Sequence, residues 1–352
     1  MSVTKIISAV LIVLAIGNVY SQSQFTGTYR SYELPQSPRI VGLGGKSIAI
    51  SDNDLSLSLN NPSLLKAEMS NAFFVNASGY GNGINYGNVL YARHFQDRGN
   101  FAIGLLYLDY GDFRRMDEFG YDLGEFTGNE YIGYLIWSKE LFKNIHIGAT
   151  AKPIYSKIET YTSYGAAFDL GIHYTNPTIG TTFSVVGTNI GRQIKPYVND
   201  APENLPYDIQ VGFSTKLQHA PFRFSFMFYN LTHKSLLYSN HNVSEPNNTN
   251  MSPEEIEKDY VNDDLENFLR HMIFGFELIP SKAFYLQFGY NFLRRSELKT
   301  IAKPSLVGVS LGLGIRVKKI QINYSFAQYH LAHYSNNLSL QFNLHDIFQD
   351  EN

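Results

Sequence analysis

Between Ser305 and Leu344 the chain alternates apolar residues with small or polar ones in three successive stretches. Val307, Val309, Leu311, Leu313, Ile315 and Val317 interleave with Gly308, Ser310, Gly312, Gly314 and Arg316. Ile320, Ile322, Tyr324 and Phe326 interleave with Gln321, Asn323 and Ser325, and Leu338, Leu340, Phe342 and Leu344 with Ser339, Gln341 and Asn343. Successive side chains of a strand point to opposite faces, so each stretch has one apolar and one wet face. In a soluble sandwich the apolar face is core. In a membrane barrel it meets lipid, and the polar face lines a lumen.

Composition favours the barrel. Charged residues make up 17% of the chain, against about 25% in soluble proteins. The polar faces carry Gly, Ser, Asn and Gln more than Lys and Glu, which argues against a solvated outer surface. The 25 Tyr and 25 Phe suit interfacial girdles. A net charge of −3 offers no basic footprint for nucleic acid, and the absence of cysteine excludes disulfides and thiolate chemistry. Residues 1–21 hold Lys5, an apolar run over 6–16 and Val19-Tyr20-Ser21, which predicts a secretory signal peptide cut before Gln22. That run is shorter than the ~18 residues of a spanning helix, and no other is as long. Export combined with strands, not helices, is the expectation.

We read fourteen strands, near 71–80, 84–95, 99–112, 127–138, 143–157, 163–175, 180–190, 207–219, 221–233, 269–279, 283–293, 303–317, 319–331 and 336–345. Several repeat the alternation: Phe222, Phe224, Phe226 and Phe228 against Arg223 and Ser225; Phe284, Leu286, Phe288 and Tyr290 against Gln287, Gly289 and Asn291; Phe168, Leu170, Ile172 and Tyr174 against Asp169, Gly171 and His173. Most are long enough for the ~9–11 residues of a tilted membrane strand. Every second connection is short: Gln96-Asp97-Arg98, Glu140-Leu141-Phe142, Asn176-Pro177-Thr178, Ala220, Pro280-Ser281-Lys282 and Lys318. The long ones, 113–126, 191–206, 234–268 and 294–302, all fall in the other set. Loops sorted by parity mark an outer-membrane barrel, whereas a Greek-key sandwich has no reason to sort them. The expected fold is all-β, a fourteen-stranded antiparallel transmembrane barrel over 71–345 with a tail at 346–352.

The longest loop, 234–268, carries its own signal. Ser252-Pro253-Glu254-Glu255 resembles a capping box with proline at the first helical position. An acidic helix through Ile256, Tyr260, Leu265 and Phe268 is expected, and Glu254, Glu255, Tyr260, Asp263 and Asp264 are candidates for partner binding.

Residues 22–70 do not alternate. They contain Ser37-Pro38-Arg39-Ile40-Val41-Gly42-Leu43-Gly44-Gly45, then Asp52-Asn53-Asp54, then Asn60-Asn61-Pro62-Ser63-Leu64-Leu65. Pro62 to Glu68 reads as a short helix. Gly45-Lys46-Ser47 lacks the upstream glycine of a phosphate loop. Fourteen strands enclose more space than wall side chains fill, so a glycine-rich segment folded inside is expected to plug the lumen. Arg39 would then pair with Asp52, Asp54, Asp169 or Glu277. The arginine, Leu-Gly-Gly, Asp-x-Asp and Asn-Pro-x-x-Leu together resemble the amino-terminal hatch of FadL-type outer-membrane proteins. Within that group the arrangement resembles the PorQ/PorV barrels of the Bacteroidetes type IX secretion system, through Ser37-Pro38-Arg39 and Tyr110-Gly111-Asp112-Phe113. Ser63 replaces the alanine usual in the Asn-Pro-Ala version. The resemblance makes Arg39, Gly42, Gly44, Gly45, Asp52, Asp54, Asn61 and Pro62 the structural hatch motif. It implies an anchor for attachment-complex proteins (PorZ, PorU and PorV).

Catalytic chemistry is not expected. Ser-x-x-Lys occurs at Ser2–Lys5, Ser63–Lys66 and Ser296–Lys299 without its partner motifs. The ten histidines, His173, His330 and His333 among them, form no His-Glu-x-x-His. Neither a metal nor an organic cofactor is expected. Two rivals to the anchor stand: a FadL-like transporter of hydrophobic solutes, for which Pro153 marks a possible wall kink, and a secreted soluble β-protein.

Overall fold

The computed structural model describes residues 28–81, 83–198, 201–237, 264–298, 306–330 and 333–344. The expected signal peptide, the capping box with Glu254, Glu255, Tyr260 and Asp263, and the tail at 346–352 lie outside these residues.

Fourteen antiparallel strands close into one barrel, each bonded to its sequence neighbours and the first to the last. They are β1 (Ala72–Gly81), β2 (Ile84–Phe95), β3 (Gly99–Met116), β4 (Asp122–Phe142), β5 (Ile145–Ile158), β6 (Tyr161–Asn176), β7 (Thr181–Lys195), β8 (Asp208–Lys216), β9 (Phe222–Phe228), β10 (Met272–Ser281), β11 (Phe284–Asn291), β12 (Val309–Val317), β13 (Ile320–His330) and β14 (His333–Asn343). Closure leaves no unpaired edge, the condition for strands to cross a bilayer. Turns at 96–98, 143–144, 177–180, 217–221, 282–283 and 318–319 share one end. The long connections 196–207, 229–271 and 292–308 share the other. By the rule for such barrels the short-turn end is periplasmic.

The expected loop 113–126 is instead hairpin. β3 and β4 continue to Met116 and Asp122, with Phe113 stacked on Phe126 at 5.3 Å between ring centres. Asp117 closes the turn by accepting from the amides of Phe119 (2.9 Å) and Tyr121 (2.8 Å). At the external end, 264–270 is helical, and the short helix Phe292–Leu298 follows β11.

The outer face is apolar as the alternation requires: Phe168, Leu170 and Ile172 are 54%, 58% and 42% exposed, while Asp169 and His173 in the opposite register are buried. One sector breaks the pattern. In β2 to β5 many inward residues are apolar too: Leu90, Leu106, Leu108, Ile132, Tyr134, Ile136 and Ile154 are buried. Their partner is the hatch.

The hatch occupies the lumen. Its elements are 3-10 turns at Arg30–Glu33, Leu55–Leu59, Pro62–Leu64 and Ala67–Met69, and one helical turn, α1 (Pro38–Gly42). Ser37 caps α1 by accepting from the Ile40 amide (3.2 Å), and Pro38 stands where a missing N–H costs nothing. Gly44 and Gly45, at φ +98° and +100°, end it in a backbone region closed to most residues. The single helix expected over 62–68 is two 3-10 turns, because Leu65 and Lys66 are extended between them. Leu55, Leu59, Leu65 and Met69 pack on the apolar wall of β2 to β5.

Candidate functional site: the hatch seat and its two vestibules

An ionic ring fastens one side of the hatch to the wall. The Arg39 guanidinium lies 2.7 Å from Asp52 and 2.9 Å from Glu277 of β10. Arg223 of β9 completes the ring at 3.1 Å from Asp52 and 2.7 Å from Glu277. Strand register explains the pairing, since Glu277 lies opposite Arg223 on the inner face of β9 and β10. Arg39 also sits over the Tyr285 ring, 4.0 Å from its centre. Gln287 donates to Glu277 (3.0 Å) and to the Arg39 carbonyl (3.3 Å). Burial opposes ionisation of Asp52, but Arg39 and then Arg223 outweigh it and hold the carboxyl well below its ordinary range.

Asp54 stands outside the ring. It accepts from the Ser56 amide (3.0 Å) and from Gln321 (3.0 Å), and burial pushes its carboxyl upward against the pull of Arg39. Asp169, the other partner considered for Arg39, is 2.6 Å from Lys152 instead. Ser31 donates to Glu130, which also accepts from Tyr110 (3.2 Å), so the hatch has a polar tie on the β4 side as well.

Asn61 and Pro62 rest on glycines. Gly148 and Gly171 are paired across β5 and β6, and a Cβ on either would strike the Asn61-Pro62-Ser63 segment. Only a wall without side chains there admits the hatch so close. Asn61 donates to the Ile48 carbonyl (2.8 Å) and accepts from the Ser63 amide (3.0 Å) and hydroxyl (2.6 Å). Ser63 has a single proton and gives it to Asn61. Its oxygen therefore accepts from His173 Nδ1 at 3.0 Å, so that ring nitrogen carries a proton. His173 stacks on His146 at 4.7 Å.

The hatch motif residues thus share the lumen. Gly42 lies against Gly312, Gly44 donates its amide to Ser310 (3.0 Å), and Gly45 faces the external vestibule. Asp264 is exposed on the external helical turn. Arg223, Lys152, Glu130 and the His173–Ser63 contact were not anticipated. Arg223 had a signal in the sequence, a charge in the inward register between the outward Phe222 and Phe224. Among the described residues no group of His, Asp and Glu is arranged to hold a metal ion.

Cavities flank the hatch. The external one, about 380 Å³, is lined by Leu34, Lys46, Asp208, Tyr229, Arg294 and Tyr329 among others. Periplasmic hollows of about 270 and 600 Å³ lie beside the ionic ring and beside His146 and His173.

The structure is similar to three solved outer-membrane proteins. Against the toluene transporter TbuX of Ralstonia pickettii the TM-score is 0.54 at 12% identity, covering 89% of this chain and 99% of that one. The toluene transporter TodX of Pseudomonas putida gives 0.51 at 10%, covering 88% and 96%. A Pseudomonas aeruginosa FadL homologue gives 0.50 at 10%, covering 88% and 98%. No family model and no curated protein matches the chain. At such identities the likeness is one of fold. The chain is an outer-membrane β-barrel, and its fourteen-stranded architecture is that of the FadL-type barrels.

Proposed function

We propose that this barrel passes small hydrophobic solutes across the outer membrane, with the hatch as its internal gate. The observation that carries the reading is the apolar inner wall of β2 to β5, packed against the hatch, in a fold shared with two toluene transporters. A water-filled pore has no use for Leu106, Ile132 and Ile154 facing its lumen. An apolar solute leaving water gains from such a surface once the hatch parts from it. Liposomes containing the protein are expected to take up labelled toluene or fatty acid faster than empty ones; equal rates would overturn the reading.

A second reading keeps the barrel closed and gives it a holding role, as the resemblance to PorQ/PorV barrels implies. The ionic ring that fastens the hatch favours it, together with external connections long enough for docking, 196–207 and 229–271. The partners would be PorZ, PorU and PorV. Deleting 240–267 would then leave a folded barrel that no longer co-purifies with them, and unchanged co-purification would count against this role.

A further inference from the structure

We infer that the external vestibule binds a small neutral aromatic molecule carrying a hydroxyl group, of the phenol class, with its O–H on Asp208. This deepens the transport reading and rests on it.

Asp208 opens β8 and is 7% exposed. Its Oδ2 is satisfied, accepting from the Asn230 amide (2.9 Å) and from Gln210 Nε2 (3.1 Å). Its Oδ1 is buried and has no donor among the described residues. A buried acceptor left in that state is unfavourable, so this carboxylate oxygen asks for a hydrogen-bond donor; in the described lining the Tyr329 hydroxyl is the other buried polar atom without a partner. The neighbouring cations do not supply one. Lys46 lies over the Tyr229 ring, 5.1 Å from its centre, and Arg294 over the Tyr329 ring at 4.1 Å. Tyr80 stacks on Tyr329 at 5.1 Å.

The walls say what carries the donor. They offer tyrosine rings together with Leu34, Pro35 and Leu293, surfaces that an aromatic ring fills well. The charged lining balances, with Arg30, Lys46 and Arg294 against Glu33, Asp208 and Glu297. There is no excess to draw in an ammonium or a carboxylate. At about 380 Å³ the space falls in the range of small-molecule sites. A bare hydrocarbon would fill it yet leave Oδ1 unmet.

The test uses the full-length barrel in detergent micelles, with titration calorimetry of phenol, anisole, toluene and glucose. Anisole keeps the ring and oxygen of phenol but has no O–H. Phenol is expected to bind saturably and about tenfold tighter than anisole or toluene, as one lost hydrogen bond to a carboxylate implies. Asp208→Ala, checked for folding by its gel shift on boiling, is expected to lose that margin. Phenol binding no tighter than anisole overturns the inference without needing any variant. So does an undiminished margin in Asp208→Ala, or glucose displacing phenol. If toluene is taken up by liposomes while the phenol margin is missing, the inference fails and the transport reading stands. If neither toluene nor phenol binds or crosses, both fall.

Discussion

Arg39 of the hatch and Glu277 of β10 meet at 2.9 Å with side chains only 2% and 1% exposed. Two charges so far from water are tolerable because each has further partners: Asp52 for Arg39, Arg223 and Gln287 for Glu277. Removing Arg39 leaves Glu277 and Asp52 sharing Arg223 as their one cation in the ring, so the loss is expected to stay below the about 3–5 kcal/mol typical of a buried charge left without any partner. Arg39→Ala is therefore expected to lower the temperature at which the boiled-versus-unboiled gel shift is lost, and Arg39→Glu to reduce folded barrel in outer membranes. The double variant Arg39→Met, Glu277→Leu is expected to recover part of that loss. Wild-type heat stability in Arg39→Glu would contradict the fastening role.

The seat of Asn61 and Pro62 makes a steric prediction. Gly148→Val or Gly171→Val puts atoms where the hatch backbone lies, so the hatch cannot seat without moving. Limited proteolysis from the periplasmic side is expected to cut the 55–70 segment in these variants and to spare it in wild type. Ser63→Ala is milder: the hydroxyl's two hydrogen bonds, to Asn61 and from His173, disappear, for about 1 kcal/mol each. Equal protease resistance in all of these would mean that the seat does not hold the hatch.

The outward face of β6 tests the bilayer. Phe168→Arg and Leu170→Arg place a cation on the lipid side, where a midplane arginine costs about 2–4 kcal/mol. Both are expected to lower stability in membranes by that order. The same substitutions on a water-facing surface would be nearly silent, and silence would revive the soluble reading.

Most of the barrel was legible because its signal is local. Outward residues such as Phe284, Leu286 and Phe288 alternate with inward Gln287 and Gly289, and the turns between strands are compact. The 113–126 segment was misread because Gly111, Gly120 and Gly124 suggest a loop, while the Phe113–Phe126 contact that extends the hairpin is cross-strand. Leu105-Leu106-Tyr107-Leu108 runs without alternation because β3 has lipid on one side and the hatch on the other. The partners of Arg39 could be narrowed from residue type but not chosen. Choosing needs the β9–β10 register that sets Arg223 opposite Glu277, while Asp169 is taken by Lys152. The vestibule was invisible for the same reason, since Lys46, Asp208 and Tyr329 come from distant parts of the chain.

The hatch inside the lumen is the claim on which all else depends, and the chain offers a clean way to test it because it contains no cysteine. A Cβ on Gly42 would lie 3.1 Å from the Gly312 Cα and nearer still to the flexible end of Gln287, so both must give a little to admit it. Two cysteines placed there are in direct contact, and a slight parting of the two backbones brings them to the spacing of a disulfide. In Gly42→Cys, Gly312→Cys barrels oxidised within native outer membranes, the account predicts near-complete cross-linking and retained heat-dependent mobility. Two free thiols that both react with a water-soluble maleimide would place the segment outside the barrel and contradict it.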